Sequence, residues 1–183
     1  MATKIKFTSP FGAAQYPHLS KPDTQGKFAD NKFKTKLVCS TSDTDALAFI
    51  AFLDGAAIEL HGKAGAKLYK PYVRDDEAGT VTFIFKSKYA PGLFDAACNQ
   101  AKGVNVGNGS VLRVMGVVVE FEKGVSAQIV QVQIKELNAA GICGFDAVED
   151  GYVFDASDVA FEDVAPSSND TDSEDTNASA LDI

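Results

Sequence analysis

Apolar and polar residues alternate in three well-separated stretches of the chain. In residues 32–40, Phe33, Thr35, Leu37 and Cys39 fall on one face and Lys32, Lys34, Lys36 and Val38 on the other. In residues 80–89, Val81, Phe83 and Phe85 oppose Thr82, Ile84, Lys86 and Lys88. Near position 130, Val130, Val132 and Ile134 alternate with Gln131, Gln133 and Lys135. A period of two predicts half-buried strands. Residues 69–74 add a strand in which Lys70, Tyr72 and Arg74 share a face, and Pro71 marks it as an edge. The Gly-closed loop 75–79 joins it to residues 80–89 as a hairpin. Residues 111–122 and 126–137 form a second hairpin around Lys123-Gly124. A short strand is predicted over residues 4–8, and an irregular leader rich in Pro, Gly, Asp and Lys over residues 9–31.

One segment breaks this pattern. Residues 43–53 hold Ala46, Leu47, Ala48, Phe49, Ile50, Ala51 and Phe52, apolar nearly all round. That predicts a well-buried helix, with Ser42 as N-cap and Asp43 and Asp45 in the first turn. Gly55 ends it, or it runs on to about His61. Residues 91–103 read as a short helix from Pro91 or as a loop, and residues 104–110 as a turn. Five or six strands with one firm helix, and no strand–helix alternation, predict an antiparallel β barrel or sandwich carrying a helix. A partly open five-stranded barrel of the OB type is the commonest small fold that fits.

Charge divides the chain. Its net charge is −8, yet all 17 Lys and Arg lie at or before Lys135, together with 12 of the 25 Asp and Glu. The other 13 acids follow, without one base. Such asymmetry points to a polyanion partner for the body and to an acidic tail. After Pro166 the composition turns to Ser, Asn, Asp, Thr and Glu, which predicts an unfolded segment. The expected division is a body over residues 1–165 and a tail over 166–183, with Phe145, Tyr152, Phe154 and Phe161 as anchors on the body. Cys39, Cys98 and Cys143 are sparse and odd in number, which suggests reduced thiols with packing roles. The N-terminus lacks the apolar core of a signal peptide, and no apolar stretch has the length of a membrane span.

Sites for catalysis lack the required residue sets. His61 has no nucleophile motif beside it. Gly107-Asn108-Gly109-Ser110 has no following Lys and reads as turn chemistry rather than a phosphate loop. Asp75-Asp76-Glu77 reads as a polar hairpin tip before it reads as a cation site. With two His and no Cys-x-x-Cys, a structural zinc is not expected; neither a metal nor a cofactor is predicted. The positive indication is for a single-stranded polyanion, which is bound by a basic groove with aromatic platforms. Lys34, Lys36, Lys70, Arg74, Lys86, Lys88 and Arg113 are the candidate phosphate contacts, and Tyr69, Tyr72 and Tyr89 the candidate base platforms. The plainer reading of the same lysines is a solvated face that protects sheet edges.

The run Tyr16-Pro17-His18-Leu19 followed by residues 32–37, and Gly124-Val125-Ser126-Ala127 leading to Lys135-Glu136-Leu137, resemble the single-stranded DNA-binding proteins of tailed bacteriophages. The acidic end with an apolar tip is similar to that family and to its bacterial counterparts, although those end in Phe and this chain in Ile183. The resemblance implies an OB fold, sequence-independent binding of single strands, and a part in phage replication, recombination or annealing in the host cytoplasm. It also implies that Asp170, Asp172, Glu174, Asp175, Leu181, Asp182 and Ile183 are read by replication or recombination proteins. The sequence is compatible with a homo-oligomer. A virion or tail structural protein without DNA affinity is the alternative. An acidic DNA mimic fits less well, because the body is basic.

Overall fold

The computed structural model describes residues 3–139. Eight strands form one sheet: β1 (Lys4–Thr8), β2 (Gly12–His18), β3 (Phe33–Ser40), β4 (Tyr72–Asp75), β5 (Thr80–Ser87), β6 (Gly92–Phe94), β7 (Val111–Phe121) and β8 (Gly124–Glu136). Five of them close a ring in the order β7–β2–β3–β5–β8 and back to β7. Neighbours in the ring are antiparallel, except that β5 and β8 meet in parallel through Phe85 and Ala127. This is the OB-type barrel expected from the sequence. The other three strands are additions. β1 continues the β2 edge of β7, β4 lies beside β5, and β6 pairs in parallel with β8.

The alternating residues face as their period requires. Leu37, Val81, Phe83, Leu112, Val114 and Val132 are fully buried inside the barrel. Helix α1 (Thr44–His61) enters between β3 and β4 and packs on that interior. Phe49 lies 4.9 Å from Phe83 and 5.5 Å from Phe7, ring centre to ring centre. Ala46, Leu53, Ala56 and Ala57 complete the buried face.

Several expectations are corrected. Asp43, not Ser42, caps the helix: its side chain accepts from the Asp45 N–H at 2.9 Å. Gly55 does not end α1, which continues to His61, where the imidazole Nε2 lies 2.9 Å from the Gly124 carbonyl. Only one face is buried; Leu47 and Ile58 are exposed. Residues 91–103 contain the strand β6 rather than a helix. The leader contains β2, whose small residues gave no apolar signal. Gly12 and Ala14 are the inward positions. A Cβ at Gly12 would sit 2.8 Å from Cys39 Sγ, so β2 can approach β3 there only with a glycine. Cys39 is buried, which pushes its thiol up to about 11, as expected of a packing residue. The two hairpins stand as read, with the first strand limited to β4 and the Asp75 carboxylate accepting from the Glu77 and Ala78 N–H groups at the tip. Cys143 and the four aromatic anchors lie outside the described residues.

Candidate nucleic-acid interface

The outer face of β2, β3 and β5 carries the site. By alternation Tyr16 would point inward, after Gly12 and Ala14. It does not, because β2 is bulged. Gln15 pairs with Lys36 and His18 with Lys34, so one extra residue is accommodated at Tyr16-Pro17. Pro17 has no N–H to lend the ladder, and Tyr16 takes a left-handed φ of 48°. That conformation is costly for a bulky side chain. The Tyr16 N–H is held by the Asn108 carboxamide oxygen at 2.6 Å, from the turn that the sequence assigned to residues 104–110. The ring consequently leaves the barrel and is 65% exposed. A bulge that re-aims a side chain is a common device beside functional sites.

Opposite Tyr16 stands the loop of residues 19–32. Leu19 is buried and anchors its start, and Asp23 and residues 31–32 exchange backbone hydrogen bonds. Two lysines of the barrel wall tie it down. Lys34 Nζ lies 2.5 Å from Asp23 and 3.3 Å from Asp30, and Lys86 Nζ lies 3.1 Å from Asp30. A hydrogen bond from Lys34 holds the Asp23 carboxyl below its ordinary value. For Asp30, burial opposes ionisation, but hydrogen bonds from Lys86 and Lys34 outweigh it and the net direction is down. At the loop tip Phe28 is 82% exposed, with Lys27 Nζ 5.8 Å from its ring. Between loop and barrel runs a groove of about 860 Å³ lined by Tyr16, His18, Phe28, Lys36, Ile84 and Lys86 among others. Lys36 Nζ lies 5.8 Å from the Tyr16 ring. Cations beside exposed rings can take phosphates and stack bases at once.

Of the candidates from the sequence, Lys34, Lys36 and Lys86 meet here. Lys88 and Tyr89 are exposed just beyond the end of β5. Five others are placed elsewhere. The Tyr72 hydroxyl donates to Asp54 on α1 at 2.9 Å and its ring packs on Phe83. Burial, then that bond, push its pKa up to about 12. Lys70 Nζ lies 3.6 Å from Asp54 and donates to the Ala66 carbonyl, while Arg74 pairs with Asp76 at 2.6 Å. Tyr69 packs edge-on against Phe121. Arg113, on β7, covers the ring of Phe11. Tyr16 and Phe28, the exposed rings of this groove, were not among the candidates from the sequence. The residue Tyr16 lies in the run that carried the family resemblance, but only the bulge turns it outward.

No family model and no curated protein matches this chain. Solved structures do. The single-stranded DNA-binding protein gp2.5 of bacteriophage T7 aligns at 23% identity over 84% of this chain and 100% of its own, with a TM-score of 0.59. The single-stranded DNA-binding protein of bacteriophage Enc34, truncated at its C-terminus, aligns at 15% identity over 74% of this chain and 86% of its own, with a TM-score of 0.52. The Enc34 protein in complex with single-stranded DNA aligns at 16% identity over 75% and 89%, with a TM-score of 0.52. These likenesses establish the barrel fold.

Proposed function

We propose that this protein binds single-stranded DNA without sequence preference and coats it during phage replication, recombination or annealing in the host cytoplasm. The observation that carries this reading is the bulge that turns Tyr16 out of the barrel toward Phe28, across a groove floored by lysines. Rings that stack on bases need those bases unpaired, so the groove favours single strands over duplex. In this reading phosphates lie against Lys36 and Lys88, with Lys86 and Lys34 reached once their carboxylate partners yield. Bases stack on Tyr16, Phe28 and Tyr89. Tyr69, Lys70 and Tyr72 serve the barrel and α1 instead, and Arg74 pairs with Asp76 within its own hairpin. The fold-level likeness to phage proteins described as binding single strands supports the same reading. No observation favours the virion-protein alternative, and no catalytic step is part of the proposal. Among the described residues no helix is long and apolar enough to cross a membrane.

Titration with fluorescent oligo-dT tests it. Affinity should exceed that for duplex and fall with log salt at a slope of about −0.7 per phosphate contact. A duplex preference, or binding that ignores salt, would sink the proposal.

The end of the chain, residues 166–183, lies outside the described residues, and its role is proposed from composition. Asp170, Asp172, Glu174, Asp175 and Asp182 bring five acids and no base, a chemical imitation of the strand. Leu181 and Ile183 offer a partner an apolar grip. Tethered to the body, those acids compete with DNA at high effective concentration. Deleting the residues after Pro166 should therefore tighten DNA binding at low salt. The gain should fade as the Debye length falls toward about 3 Å near 1 M. Serine at 181 and 183 should leave DNA affinity unchanged while replication proteins are no longer pulled down. Truncation without effect at low salt would remove the competition argument.

A further inference from the structure

We infer that a bound strand continues past Tyr16 along the outer face of β2 to a second nucleotide platform at Phe11. The inference rests on the single-strand reading above. β1 and β2 occupy the same edge of β7, with Thr8 opposite Met115 and Gly12 opposite Leu112. Four residues on one side thus answer three on the other, and the chain breaks step at residues 9–11. Ser9 fixes the break: its N–H donates to the Val114 carbonyl at 2.8 Å and its Oγ accepts from the Val114 N–H at 2.9 Å. Beyond it Gly12 and Ala14 face inward, so Phe11, Ala13 and Gln15 share the outer face with the bulged Tyr16.

Phe11 is surrounded by the groups a nucleotide needs. The Arg113 guanidinium carbon lies 4.8 Å from its ring centre and Lys135 Nζ 5.7 Å. Arg113 is oriented by its Nε, which donates to the Gln133 side-chain oxygen at 2.8 Å. Next to the ring opens a cleft of about 450 Å³ that Phe52 also lines, with Lys6 and Asp45 at its walls. Two cations converging on one ring can hold a phosphate while the ring receives its base. From Phe11 to Gln15 is four residues, about 13 Å of strand. A base on Phe11 is therefore a different base from the one on Tyr16. The lysine of the first platform, Lys36, pairs with Gln15, so the two platforms adjoin along one strand.

The discriminating variable is oligonucleotide length. OB folds cover about 4–16 nucleotides, so dT of about 4 and about 16 residues bracket the two cases. Phe11→Leu keeps an apolar side chain but removes the ring, and Lys135→Ala alters an exposed residue. Each should leave short-oligo affinity within about twofold, while long-oligo affinity falls by about fivefold or more, the weaker end of a lost stacking contact. Lys135→Ala should also make the salt slope for the long oligo shallower by about 0.7. Melting midpoints within a few degrees of wild type, roughly the shift from 1 kcal/mol, show the fold intact. Equal loss at both lengths, or no loss at the longer, overturns the second platform while leaving the first standing. Failure of wild type to bind either length overturns the single-strand reading itself, and this inference with it.

Discussion

Removing the Tyr16 or the Phe28 ring should each weaken oligo-dT binding by about 5- to 150-fold, the equivalent of about 1–3 kcal/mol per stacked base. The choice of replacement matters at residue 16. Its φ is 48°, where alanine is strained and glycine is not. Tyr16→Gly therefore deletes the ring without a backbone penalty, and Tyr16→Phe, which keeps the ring, should bind nearly as wild type. Phe28 lies in an exposed loop, so Phe28→Ala should leave stability within about 0.5 kcal/mol. Fluorescence anisotropy at one fixed salt concentration gives the ratios. If both ring deletions bind as wild type does, the groove is not where bases stack.

Phe49→Ala should be the most damaging single change to the body. Its ring stands among Phe7, Phe52, Phe83 and Phe85 at 4.9–6.3 Å, and it ties α1 to the barrel interior. Truncating a buried phenylalanine costs about 3–5 kcal/mol, against a total stability of about 5–15 kcal/mol for a typical domain. For a body of this size the melting midpoint should drop by roughly 10–20 °C. Thermal unfolding followed by circular dichroism reads it. A loss under about 1 kcal/mol would mean that α1 is a surface attachment and not the barrel's plug.

The parts of this fold legible in the sequence are those in which one side of a strand is buried. β3, β5 and β8 show a period of two because the barrel interior demands it, and the hairpin turns carry Gly at the tight positions. β2 was illegible because it fits its neighbours by being small: Gly12 and Ala14 bury almost nothing, and Pro17 signals a loop. The site suffered from the same cause. Lys34, Lys36 and Lys86 follow from alternation. Tyr16 reaches them only by violating it, and Phe28 sits in a loop where no period applies. Tyr72 shows the reverse case. Its position beside Lys70 and Arg74 looked like a basic face, but Asp54, eighteen residues before it, draws Tyr72 and Lys70 onto the helix, and Asp76 holds Arg74. A partner across the fold cannot be read from spacing within a strand.

Asp30 has a thermodynamic consequence of its own. Its carboxylate bridges Lys34 and Lys86, and Asp23 supplies the second charge at Lys34, so those lysines hold counterions that are part of the chain. A phosphate arriving there exchanges with a tethered anion and liberates little dissolved salt. Entropy from ion release, the usual driving force of such binding, then arises mainly at cations such as Lys36 that no carboxylate holds among the described residues. A log–log salt plot would count fewer charges than the groove presents. The heat of binding, small where one oxyanion replaces another, would undercount them too.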